Sequence, residues 1–191
     1  MRINIKFWGE LFFLFLALVT VVVTALFIAQ AISDNPELQA TVASWGYLGV
    51  VLLGIVAGLN VIVPLPAGSF APAFVAAGMW MPFIIIALTI GTLIADYIGY
   101  AFGRWSRTGI SEKYPKLLVR YESLITKHHI WLLPVIFLYA AFVPFPSEAI
   151  ILPLAVLGIN FRQMFLPLLL GNLLYQTLLS YGAQNLFLWW F

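Results

Sequence analysis

Val143-Pro144-Phe145-Pro146-Ser147-Glu148-Ala149-Ile150-Ile151-Leu152-Pro153-Leu154-Ala155-Val156-Leu157-Gly158 decides how this chain is read, because its punctuation has already occurred once. Eighty residues earlier, Pro64-Leu65-Pro66 opens an apolar leg that also stops at a glycine, Gly78. The same offset superposes Gly91 on Gly171, Val63 on Val143, Leu88 on Leu168 and Leu93 on Leu173. Each copy is a Pro-x-Pro break, a short apolar leg, a glycine stop and a longer apolar run. In a membrane chain, apolar segments interrupted at matching places in two halves point to a binding site near the bilayer midplane.

Composition puts the chain in a membrane. It is 63% hydrophobic and 8% charged over 191 residues, where soluble domains carry about 25% charged residues. Several apolar stretches exceed the roughly 18 residues that mark a spanning helix. With no cysteine there is no disulfide, thiolate metal site or thiol nucleophile. His128 and His129, the only histidines, do not make a metal centre. No serine–histidine arrangement or carboxylate cluster argues for an enzyme, and neither a cofactor nor a nucleic-acid partner is expected.

Residues 1–44 read as an N-terminal transmembrane helix, Phe7–Ile32, ended by Ser33-Asp34-Asn35-Pro36-Glu37, and an external connector that includes a short amphipathic piece, Leu38–Ser44. A cleaved signal peptide ending at Ala29-Gln30-Ala31 is the alternative, but the apolar run is longer than an ordinary h-region. Residues 45–191 hold the repeat: copy one at 45–103, an amphipathic cytoplasmic linker at 104–129, and copy two at 130–191. The legs Gly68–Ala77 and Ala149–Leu157 cannot cross a hydrocarbon core of about 30 Å as helices. Each can instead return to the side its partner entered from, as a re-entrant hairpin. One copy then makes an odd number of crossings, and the two copies have opposite orientation. The expected fold is all-α and integral to the membrane. It is an inverted repeat of a re-entrant helical hairpin plus a transmembrane helix, preceded by one N-terminal transmembrane helix.

Basic residues orient it. With the N-terminus inside, Arg2, Lys6, Arg104, Arg107, Lys113, Lys116, Arg120, Lys127 and Arg162 all fall on the cytoplasmic side. The C-terminus is then outside, in what reads as a prokaryotic cytoplasmic membrane. Treating both hairpins as full crossings still leaves 104–127 on one side, so the alternative topology stays open.

Glu148, beside the second break, is the sharpest candidate. An acid at mid-membrane is a functional hypothesis by default, here a proton carrier. The alternative is a helix start, with Ser147 as cap and Glu148 in the first turn. The first hairpin has Gly68-Ser69 at that place. Asp96, Tyr100 and Arg104 form one helical row, with Asp96 about 12 Å inside the cytoplasmic end. It reads as an ion or proton route, or as a hydrogen bond to a hairpin. Gln176 is its repeat equivalent; Asn172, one turn away, lines the same cavity or bonds helix to helix. Arg104 meets a headgroup or snorkels at the boundary, and Gly99-x-x-x-Gly103 reads as close helix packing. Lys113, Lys116, Arg120 and Lys127 share one arc, describing either an interfacial helix among anionic headgroups or a solvated basic face.

The stretch Ala95-Asp96-Tyr97-Ile98-Gly99-Tyr100-Ala101-Phe102-Gly103-Arg104, followed by Gly109, resembles the G-D-x-x-G-Y-x-x-G-R-x-x-G signature of the DedA / VTT-domain superfamily. Pro144-x-Pro146, Gly158-Ile159-Asn160-Phe161-Arg162, Gly171 and Tyr181-Gly182-Ala183 resemble the C-terminal pattern of the same superfamily, which includes TVP38-like SNARE-associated members. The similarity covers about Val50 to Ala183. It implies facing re-entrant hairpins with tips at Pro64, Pro66, Pro144 and Pro146. It also implies flippase or scramblase activity toward phospholipid or polyprenyl-phosphate headgroups, often proton-coupled. Glu148, Asp96, Arg104, Ser69, Tyr100, Asn172 and Gln176 would line the substrate and proton pathway, while Lys113, Lys116, Arg120, Lys127 and Arg162 would meet headgroups. The family often has an acid where this chain has Gly68-Ser69, and an arginine where it has Glu148. A coupled exporter of small amphiphiles and a non-transporting membrane-organising protein are the alternatives.

Overall fold

The computed structural model describes residues 5–59, 65–113, 129–143 and 146–191, and every regular element among them is helical. The first turn of the chain follows from Asn35. α1 (Ile5–Asp34) stops and α2 (Pro36–Gly58) starts at once. Asn35 Oδ1 accepts from the Glu37 and Leu38 amides at 2.9 and 3.3 Å, and Pro36 needs no partner at the first helical position. A 3₁₀ turn, Ala67–Phe70, leads into α3 (Ala71–Ala76); α4 (Met81–Lys113), α5 (His129–Phe142), α6 (Glu148–Val156) and α7 (Phe161–Trp190) follow.

Among the described residues, four helices are long and apolar enough to cross a membrane, within Phe15–Asp34, Pro36–Gly58, Met81–Gly109 and Phe161–Trp190. Large apolar side chains such as Phe13, Leu48, Phe102, Trp131 and Leu188 face outward. A soluble monomer rarely exposes so continuous an apolar surface, whereas hydrocarbon is its natural solvent.

Two boundaries differ from the sequence reading. The piece Leu38–Ser44 and the run from Trp45 form one helix, and the expected junction survives as a kink at Gly46 (φ 55°). α4 continues past Phe102 to Lys113. The hydroxyls of Ser106 and Thr108 bond back to the Phe102 and Trp105 carbonyls, and no proline intervenes before Pro115.

The two glycine stops are built alike. Gly78 and Gly158 have φ of 84° and 89°. Their amides bond Val75 and Ala155 at 2.9 and 3.1 Å, and the next amides, Met79 and Ile159, reach Phe74 and Leu154 at 3.0 and 3.1 Å. This is the Schellman stop, which needs a left-handed residue at that place.

Packing then sets the sense of each helix. The Trp80 amide donates to Tyr47 Oη at 3.1 Å, Gly54 lies against Gly91 and Gly58 against Ala95. Residue numbers rise together, so α2 and α4 run in the same sense. A methyl at Gly91 would stand 2.3 Å from the Val51 carbonyl oxygen, so the backbones touch there. Likewise α5 and α7 run in the same sense. Ile136 and Ala140 share a core with Met164 and Leu168, and Gly171 meets the Phe137 carbonyl and Ala140. Each short segment packs on the other half's long helix. Glu148 meets Gly99, Leu152 meets Gly103, and Arg107 Nη1 donates to the Val156 carbonyl at 3.0 Å. Gly68 in turn lies against Gln176, Leu179 and Ser180 of α7.

Candidate functional site

Asp96 follows Met81, the start of α4, by 15 residues, and Gln176 follows Phe161, the start of α7, by the same number. Both therefore stand near the middle of a spanning helix. Asp96 is fully buried. Its Oδ1 accepts from the Ser147 hydroxyl, and its Oδ2 accepts from Asn172 Nδ2 at 2.8 Å. A buried carboxylate needs such donors, and here they come from the flank of the second proline break and from α7. Ser147 occupies the cap position of α6 yet makes no side-chain cap bond. Its hydroxyl is used on Asp96, so Ser147 caps α6 by position alone, with Glu148 in the first turn.

Glu148, the first residue of α6, is 3% exposed. Neither of its carboxylate oxygens has a hydrogen-bond partner among the described residues. An ionised carboxylate left so is costly, and the position calls for a proton, a donor or a cation. Tyr139 Oη donates to the Pro146 carbonyl at 3.2 Å and ties α5 to the break.

Beside Asp96 lies a cavity of about 70 Å³ walled by both halves. Gly58 and Thr92 come from the first half, Ser147, Asn172 and Gln176 from the second, and Leu65 and Pro146 from the middle and end of the two breaks. A space of that size holds a few waters. A lipid headgroup needs it to widen.

The other candidate residues fall around this cluster. Ser69 is buried, but its hydroxyl closes the local turn by donating to the Pro66 carbonyl at 2.7 Å. Tyr100 is half-buried, with its ring 5.3 Å from Phe161 and 6.4 Å from Tyr97. Arg104 and Arg162 are exposed and Pro66 is buried. Lys113 closes α4. Pro64, Pro144, Lys116, Arg120 and Lys127 lie outside the described residues. Gly99 and Gly103 are packing positions, facing Glu148 Cγ at 3.2 Å and Ala155 Cβ at 2.8 Å from where a methyl would be.

Two features were missed by the sequence reading. One is Ser147 as a donor to Asp96. The other is that Ser180 and Gln184 extend the row of Asn172 and Gln176, each one turn further along α7. The four-residue spacing was visible in the sequence and places all four on one face. Comparison with protein-family models, curated proteins and solved structures gives no match.

Proposed function

We propose that this chain moves lipids between leaflets through a cavity where two re-entrant hairpins meet, as its resemblance to DedA / VTT-domain proteins implies. The observation that carries this reading is the crossed packing of the halves around Asp96. α2 and α4 run in the same sense, which supports a return of segment 67–76 between them. α6 leaves the end of α5 and reaches α7, whose start lies beside the start of α5. α6 also runs along α4, so α4 and α7 have opposite senses. The contacts pair up across the 80-residue offset. Gly68 meets Leu179 and Gln176, while Glu148 meets Gly99 and its neighbour Ser147 holds Asp96. Reciprocal pairs of this kind are what a two-fold axis between inverted copies produces.

In this mechanism a headgroup enters between a short segment and the long helix it packs on, and the cavity widens as they part. Asp96 and Glu148 exchange protons as access alternates. Arg104 and Arg162 meet the headgroup at the cytoplasmic boundary, and the stripe Lys113, Lys116, Arg120 and Lys127 holds the anionic leaflet. The small size of the cavity favours a second reading, proton-coupled export of a small amphiphile.

Reconstitution with labelled phosphatidylethanolamine or polyprenyl phosphate is the test. Leaflet exchange is expected to exceed that of protein-free vesicles. Glu148→Gln or Asp96→Asn should lower it on the order of tenfold, within the range of coupling free energies between sites. Exchange at the protein-free rate sinks the lipid reading. If a cationic amphiphile then moves with protons, and Glu148→Gln stops it, the second reading replaces it.

A further inference from the structure

Three buried oxygens line one face of α7 without a hydrogen-bond partner among the described residues: Gln176 Oε1, Ser180 Oγ and Gln184 Oε1. They are spaced four residues apart and continue from Asn172, which donates to Asp96. Gln176 is 2% exposed and Ser180 is fully buried, so lipid does not bathe them. Buried polar atoms are nearly always satisfied, and ordered water is the usual partner where protein supplies none. We infer that Asn172, Gln176, Ser180 and Gln184 mark a water-filled path between α7 and segment 67–76. It leads from Asp96 to the end of the molecule where α1 and α7 finish, and it admits water and small cations.

Geometry gives the path a direction and a narrow point. A methyl at Gly68 would stand 3.0 Å from Ser180 Oγ and 3.1 Å from Gln176 Oε1, so only a hydrogen separates segment 67–76 from the polar row there. Beyond it, Phe187 packs on the cluster of Ala29, Ile32 and Ala73, and Phe27 meets Phe191 at 5.8 Å. The charged groups at that end are Asp34 and Glu37, both exposed; at the inner end they are Asp96 and Glu148. Acids at both ends and buried, unpartnered acceptor oxygens between them favour a cation over an anion. The row at the same offset on α4 offers no such path. Tyr100, the counterpart of Ser180, is covered by the Phe161 ring, and Arg104 stands where Gln184 does in α7. Among the described residues, a buried polar row thus leads to Asp96 along α7 and not along α4.

The inference rests on the reading of α7 as a spanning helix and not on what is transported. The chain has no cysteine, so each single-cysteine variant carries one thiol. In sealed vesicles, Ser180→Cys and Gln184→Cys should react with an impermeant trimethylammonium thiosulfonate added on the side where α7 ends. Leu154→Cys, buried among Ile136, Met164 and Leu168, should not. Gly68→Ala should slow labelling of Gln176→Cys about tenfold, as expected from crowding a packed site by one methyl, and leave Gln184→Cys unchanged. Labelling of Ser180→Cys and Gln184→Cys no faster than Leu154→Cys overturns the path, and that comparison needs no Gly68 variant. Labelling in vesicles whose lipid exchange equals the protein-free rate supports the path and removes the lipid reading alone.

Discussion

The seam of α6 on α4 and the seam of segment 67–76 on α7 are equivalent in position and unlike in chemistry. On α4 the row runs from half-buried Thr92 through buried Asp96 and half-buried Tyr100 to exposed Arg104. On α7 the matching row is buried at Asn172, Gln176 and Ser180 and half-buried at Gln184, whose Oε1 stays covered. The short segments differ in the opposite way. α6 brings Ser147 and Glu148 to its long helix, whereas segment 67–76 brings Ala67 and Gly68. One seam therefore holds Glu148 against Gly99 and Asp96 against Ser147, and the other holds a polar row against Gly68. The two seams follow the same 80-residue spacing, and side-chain differences at a few matched places set their chemistry apart.

The largest effect should come from the backbone contacts that hold each half together. Gly91→Ala places a methyl 2.3 Å from the Val51 carbonyl oxygen and 2.8 Å from Gly54 Cα, both main-chain atoms that cannot turn aside. Gly171→Ala meets Ala140 Cβ at 2.6 Å and the Phe137 carbonyl at 2.9 Å, which a small shift of α5 relieves. Overpacking of this kind costs about 1–3 kcal/mol, and Gly91→Ala belongs at the upper end and Gly171→Ala lower. Thermal unfolding in detergent, followed by size-exclusion, reads the order. Equal losses would mean that the α2–α4 crossing is no tighter than that of α5 on α7.

A smaller effect sharpens the contrast between the seams. Ser147→Ala leaves Asp96 Oδ1 without its donor, which should cost about 2 kcal/mol for a bond to a charged group. Ala67 occupies the place of Ser147 in the first copy and shares the cavity with Gln176, whose Oε1 has no partner among the described residues. Ala67→Ser supplies a donor that only displaces the water inferred at Gln176 Oε1, so it should change stability by less than about 1 kcal/mol. The pair is read by the same melting assay. A gain of about 2 kcal/mol from Ala67→Ser would show that no water meets Gln176 Oε1.

How much of this was legible beforehand depended on the kind of signal. The breakers located the short segments, because a Pro-x-Pro and a glycine act on the backbone wherever they stand. Asn35-Pro36 and the Gly78 and Gly158 stops were readable for the same reason. Helix ends beyond the apolar core were not: residues 104–113 hold no proline and α4 runs through Gly109, so polarity alone was a poor guide to where α4 finishes. Asp96 and Glu148 stood out because acids are rare in apolar runs. Their partners did not, since Ser147 reaches Asp96 across a separation of 51 residues that no spacing rule encodes. The backbone approach of Gly54 to Gly91 was hidden likewise, because helix sense had to be known first.

The smallest effect is the strictest test of the repeat itself. Gly78 and Gly158 have nearly the same φ and make the same two capping bonds. An alanine at either place must adopt a left-handed conformation that costs about 1–2 kcal/mol for an L residue. Gly78→Ala meets no atom within 4 Å, so strain is its whole effect. Gly182→Ala, also in open space but within α7, removes a flexible helical residue and should instead stabilise by about 0.5–1 kcal/mol. Gly78→Ala and Gly158→Ala should then lower stability by equal amounts, with the sign opposite to that of Gly182→Ala. A clear difference between the two stops would mean that the copies share their breakers but not the backbone these breakers impose. The matched contacts of Gly68 and Glu148 would then have to arise without a common hairpin geometry.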